Sequence, residues 1–233
     1  MPLSDLIPQY YVGVEGDYHR SFHPGQIYWA PTFYLPAHPD VLFEVDPDPT
    51  EARLKFEIRR AGDRSFRGSH RPLKSINLQA TEELVAVKAK RRLVVLLSQP
   101  NTVHDDIRQH VGRDRRIHEQ SFLGLPLYGR HRGEAERGFP DVVVDRIQAL
   151  MYNQFFYFPP SSSEPNPVVY ESIGRLDRVQ AFHADTLAAG AVALRLHQDC
   201  WDVLREWVAG YITGELSPHL FELRQELIRE LYT

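Results

Sequence analysis

Cysteine is almost missing from this chain: Cys200 stands alone among 233 residues. A single thiol closes no internal disulfide and builds no cysteine-based zinc site, so a reducing, cytoplasmic setting is expected, with no metal or other cofactor. Long apolar runs are lacking too. The most apolar stretch, Leu187 to Leu196, is interrupted by Gly190 and Arg195 and is too short to span a bilayer, so no membrane partner is expected. The opening residues Met1-Pro2-Leu3-Ser4-Asp5 have neither a basic nor an apolar region, so no signal peptide is expected. There is also no excess of positive charge: Lys+Arg 27 against Asp+Glu 31 gives a net charge of -4. A constitutive nucleic-acid binder more often carries a basic surplus, so any such role here needs a local patch.

What is present suits a globular chain, since 42% of residues are hydrophobic, enough for a sizeable core. After a polar and aromatic lead-in, Pro24-Gly25 turns into Gln26-Ile27-Tyr28-Trp29-Ala30, a run of strand composition. From Arg53 to Arg59, Leu54, Phe56 and Ile58 alternate with Lys55 and Glu57, which predicts a half-buried strand. Leu93-Val94-Val95-Leu96-Leu97-Ser98 is unbroken and ends at Gln99-Pro100, which predicts a strand covered on both faces. Further strands are predicted at Asp141-Val142-Val143-Val144, Val168-Val169-Tyr170 and Leu176 to Phe182. The last fifty residues read as helical. Trp201, Leu204, Val208 and Tyr211 recur at helical spacing, with Asp199 as N-cap and Gly214 at the end. Ser217-Pro218 supplies an N-cap followed by Pro at the first helical position, and Leu220, Leu223, Leu227 and Leu231 form one stripe. The domain reading is therefore a small β-barrel with insertions over residues 1–183 and a helical extension packed on it over 184–233.

Five of these blocks, in order, resemble the MazF/PemK (Kid) family of bacterial toxins. Gly25-Gln26-Ile27-Tyr28-Trp29 is similar to the family's opening strand, and Arg92-Leu93-Val94-Val95-Leu96-Leu97-Ser98 to its Arg-Pro-apolar-Ser strand, with Leu93 in place of Pro. Leu125-Pro126-Leu127-Tyr128 falls where the family has Pro followed by Thr or Ser. Phe139 to Val144 and Ser172 to Phe182 match the later strands. The resemblance implies an SH3-like barrel, a homodimer, and a cytoplasmic protein held by a co-encoded partner such as an antitoxin or a defence-system component.

It also implies a chemistry. In that family an Arg at the start of the central strand and a Thr or Ser after the Pro cleave RNA through the ribose 2′-OH. Arg92 takes the matching position, where its fork would hold the pentacoordinate phosphate. Tyr128 stands where Thr or Ser is expected, and a phenol is a weak base at neutral pH. His131, three residues on, is the other candidate proton carrier. Two readings stay open. One is a catalytically degenerate relative that binds protein or nucleic acid; the other is a metal-independent endoribonuclease using Arg92 with Tyr128 or His131.

Arg-rich loops offer a strip for single-stranded RNA: Arg60, Arg64, Arg67 and Arg71 in one, Arg130 and Arg132 in another, with Arg91 beside Arg92. The tract His104, Asp105, Asp106, His110 and His118 is crowded by Arg108, Arg113, Arg115 and Arg116, which favours a solvated charged face over a metal site.

Overall fold

Short strands come first and two long helices last. The computed structural model describes residues 2–19, 21–34, 39–45, 55–61, 65, 82–99, 120–130, 138–161 and 168–233. Among them the elements run α1 (Leu3–Leu6), β1 (Tyr11–Gly13), β2 (Gln26–Phe33), β3 (Asp40–Val45), β4 (Lys55–Arg60), β5 (Val85–Ala86) and β6 (Ala89–Leu96). They continue with β7 (Ser121–Gly129), α2 (Asp141–Gln148), β8 (Phe155–Phe158), β9 (Ser172–Arg175), β10 (Gln180–His183), α3 (Ala184–Ala188), β11 (Ala191–Leu196), α4 (Gln198–Thr213) and α5 (Pro218–Leu231). Contacts divide the chain into two units, residues 31–90 and the remainder.

The larger unit holds a mainly antiparallel sheet in the order β1-β11-β2-β6-β7-β9-β8, with β10 beside β7. This path does not return on itself. Among the described residues the sheet is open rather than a closed barrel, and the architecture is mainly β with C-terminal helices. Residues 184–233 are not wholly helical, because β11 lies within them and pairs with β1 and β2.

Strand β7 is the spine of the sheet. On one edge it pairs with β6, Val94 facing Pro126. On the other edge it changes partner, since Gly124 faces Gln180 of β10 while Leu127 faces Gly174 of β9. The Leu123 carbonyl turns to the β6 edge, where it accepts from Leu97 N–H at 2.8 Å. By alternation Pro126 turns its nitrogen to the other edge, in the interval between the two partners. A proline there removes no ladder hydrogen bond.

The period of two sorts the side chains onto two faces. Leu93 and Val95 of β6, Leu125 and Leu127 of β7, and Phe156 and Phe158 of β8 join one core with Leu204, Trp207, Leu220 and Leu227 of the terminal helices. The Trp207 indole N–H also donates to the Phe155 carbonyl at 2.8 Å, which docks α4 on β8. The opposite face carries two smaller clusters. Val94, Leu96, Phe122, Phe182 and Tyr28 form the first. Ile173 and Tyr157 pack under Val144 and Ile147 of α2 in the second.

Helix ends follow local chemistry. The Ser217 hydroxyl accepts from Leu220 N–H with Pro218 at the first helical position, and Gly214 closes α4 at φ +80°, as expected. Four expectations need correction. Residues 141–144 are helical, because Pro140 caps a turn with Asp141 in it, and because Val144 and Ile147, three apart, are both buried. Tertiary burial thereby overrides three consecutive valines. The N-cap of α4 is His197, whose ring accepts from Asp199 N–H, rather than Asp199 itself. The chain from Leu176 to Phe182 is a 3₁₀ turn (Leu176–Arg178) followed by β10. Residues 168–170 make no strand.

In the smaller unit β4, β3 and β5 form a three-stranded sheet. Phe56 and Ile58 alternate as expected but are exposed, not half-buried.

Two stability outcomes follow from this packing. A Cβ on Gly190 would stand 1.8 Å from the Trp29 carbonyl oxygen, whereas one on Gly13 meets nothing within 4 Å. Gly190→Ala should therefore cost more than about 2 kcal/mol in urea unfolding, and Gly13→Ala less than about 0.5. Burial raises the phenols of Tyr10, Tyr11, Tyr28 and Tyr157 above their ordinary 10.0, and the Cys200 thiol above 9.0. The unfolded chain thus releases protons that the fold retains, and stability falls as pH rises past about 9 to 10. Urea midpoints should drop above that window, with the tyrosinate absorbance of these four buried phenols appearing only as the chain unfolds.

Candidate functional site

Between the two small clusters, on the face away from the terminal helices, the sheet carries charge. Continuing the β6–β7 register brings Arg92 opposite Tyr128, and the Arg92 guanidinium lies 4.2 Å from the Tyr128 ring centroid. Tyr128 faces Ile173 on β9, so Arg175, two residues along, projects from the same face. Its guanidinium is 5.5 Å from the Tyr128 ring and 5.9 Å from that of Phe155, its cross-strand partner on β8.

Tyr128 is only 4% exposed. Its ring is therefore a buried platform for two cations, an arrangement that the face of an aromatic quadrupole favours. Arg175 is fixed by a fork to Asp177, Nε to Oδ1 at 3.0 Å and the second nitrogen to Oδ2. Arg178 Nε lies 3.6 Å from the same carboxylate. The Asp177 hydrogen bond pushes the Arg175 pKa further up, so its charge is permanent. Planar, always-charged forks beside an aromatic ring suit phosphate groups and stacked bases.

The structure thus brings Arg92 and Tyr128 together. Sequence alone does not single out Arg175, because its approach to Tyr128 depends on the β7–β9 register; the charged run Arg175-Leu176-Asp177-Arg178 is the only local signal. Arg91 points to the other face by strand alternation, 5.6 Å from the Trp29 ring. Arg60 is exposed at the end of β4. His131, Arg64, Arg67, Arg71 and Arg132 lie outside the described residues, as does the histidine tract at 104–118.

Arg130, expected to meet RNA, has its two terminal nitrogens committed elsewhere, one to Glu171 Oε1 and one to Asp141 Oδ1. The Tyr157 hydroxyl donates to the same Glu171 oxygen at 2.8 Å. Arg130 N–H donates to the Glu171 carbonyl, and Phe139 N–H to the Arg130 carbonyl. This residue clamps the end of β7 to the start of α2. Cys200 is fully buried, its thiol raised by that burial, and serves packing.

No family model matches the chain, and neither a curated protein nor a solved structure matches it.

The two arginine settings predict different losses. Arg130→Met leaves the partly buried Glu171 carboxylate without its cation and should lower stability by about 1–2 kcal/mol in urea titrations. Arg92→Met, which keeps an apolar stem on the Tyr128 ring, should change it by less than about 1 kcal/mol.

Proposed function

We propose that this chain is a divergent, cytoplasmic MazF/PemK-like protein of a prokaryotic toxin–antitoxin or phage-defence system, and that it binds single-stranded RNA without cleaving it. In this reading the open sheet is a modified SH3-like framework, and a co-encoded protein partner controls access to it. One observation carries the proposal: the guanidiniums of Arg92 and Arg175 flank the single buried ring of Tyr128. Two cations on one face of a sheet, with Phe155 beside them, offer phosphate contacts and a ring for base stacking to a single strand.

The same ring argues for binding over cleavage. Attack by a ribose 2′-OH needs a group that takes its proton, placed within hydrogen-bond reach of it. A Thr or Ser would offer a short hydroxyl at that position, whereas Tyr128 supports Arg92 with its ring. Among the described residues the strip is rich in charge stabilisers and poor in proton carriers. An arginine that only neutralises phosphate raises affinity without raising turnover.

Fluorescence anisotropy with a mixed single-stranded RNA in EDTA tests this. Wild-type protein should bind and leave the RNA intact. Arg92→Ala and Arg175→Ala should each weaken binding roughly tenfold and reduce the slope of log K against log salt by about 0.7. Cleavage by wild type that Arg92→Ala abolishes would replace this reading with a metal-independent endoribonuclease. Binding indifferent to both substitutions would move the site elsewhere.

A further inference from the structure

The smaller unit presents a sheet edge with a definite pattern. Asp40 faces Arg60 and Leu42 faces Ile58 in the β3–β4 ladder. Just beyond it, Ala61 N–H donates to the Pro39 carbonyl at 2.8 Å. Residue 61 therefore turns its backbone towards β3, and by alternation residues 55, 57 and 59 do the same. The other side of β3 agrees, because Leu42 N–H donates away from β4 to the Leu84 carbonyl. Phe56, Ile58 and Arg60 consequently turn their N–H and C=O groups outward. No further strand pairs with β4 among the described residues.

One face of this edge strand also carries exposed apolar side chains. Phe56 is 47% and Ile58 65% exposed. Soluble proteins usually blunt such edges, because an exposed row of donors and acceptors is a template for another strand. Here the charges on the strand select which strand fits.

We propose that β4 pairs antiparallel with β4 of a second copy, about a two-fold axis through Ile58. Ile58 then meets Ile58 of the second copy, and the two exchange both backbone hydrogen bonds. Phe56 lies opposite Arg60 of the second copy, a cation–π pairing that occurs twice. On the reverse face Glu57 lies opposite Arg59 of the second copy, also twice by symmetry. Neighbouring registers are excluded by charge. An axis through Glu57 sets that carboxylate against itself, and an axis through Arg59 sets arginine against arginine. Within one copy Arg59 and Glu57 already form an exposed ion pair at 2.7 Å. Exposed pairs of this kind contribute little, so exchanging partners across the axis is cheap. The two three-stranded sheets become one of six strands.

Sedimentation velocity on the full chain over a concentration series tests the pairing. Wild type should pass from monomer to dimer as concentration rises. Glu57→Arg and Arg59→Glu should each raise the dissociation constant roughly tenfold, by turning two attractions into repulsions. The double substitution exchanges the charges and should restore it. Amide exchange at Ile58 supplies a readout independent of the variants: its N–H should be protected in the dimer and exposed on dilution. A chain that stays monomeric throughout overturns the proposal and leaves the edge to a strand from another protein. A dimer whose dissociation constant ignores the single swaps, or a double variant no better than the singles, overturns it as well.

Discussion

The larger unit depends on one strand having to satisfy three neighbours at once. Residues 121–129 pair with β6 along one edge and with β10 and then β9 along the other. Each residue of β7 is thereby committed twice, its backbone to one edge and its side chain to one face. Odd positions bury Leu125 and Leu127 against the terminal helices, and even positions build the opposite face. A slip of one residue would carry those leucines onto the charged face and Tyr128 into the main core. Pro126 belongs to the same constraint. Its nitrogen falls where β10 has ended and β9 has not begun, one of the few interior positions that a proline can take.

That double commitment also separates two arginines that sequence treats as equals. Arg130 stands just past β7 and meets two carboxylates and, through Glu171, a tyrosine hydroxyl. The charge there is neutralised, and the gain is mechanical, one end of a strand tied to one end of a helix. Arg175 is forked to Asp177, and it shares the neutral ring of Tyr128 with Arg92. Guanidiniums gathered on one aromatic ring are the feature that the proposed RNA-binding reading uses.

Legibility in the sequence follows the range of the interaction that decides each element. Leu93 to Leu96 and Ser217-Pro218 are decided locally, by an unbroken apolar run and by a capping hydroxyl, and both are readable. Val142 to Val144 are not, because the β-branched composition points to a strand while burial at a spacing of three decides for a helix. Phe56 and Ile58 show the complementary case. Their alternation reveals the strand, but whether an alternating face is covered depends on a partner the strand itself does not encode. Arg175 lies at the far end of this scale, since its place beside Tyr128 requires the β7–β9 register. A family resemblance points to Arg92 and Tyr128 together, and their contact is a cross-strand one that spacing alone does not supply.

The net charge of -4 has to be read through the same two-faced geometry. Exposed acids such as Glu222 and Glu226 sit on α5, whose Leu220 and Leu227 pack against the face of the sheet opposite to Arg92 and Tyr128. A sheet and a helix packed on it separate those carboxylates from the arginines by more than about 10 Å, and at physiological salt the screening length is about 8 Å. A phosphate approaching the Tyr128 face therefore feels the nearby guanidiniums strongly and the helix acids weakly. The total charge governs how the molecule behaves at long range and low salt, where it slows the approach of any polyanion. Once contact is made the local pair decides. Under the proposed reading, a chain of this composition associates with RNA more slowly than a uniformly basic protein and holds it through a few contacts that salt and single substitutions can remove.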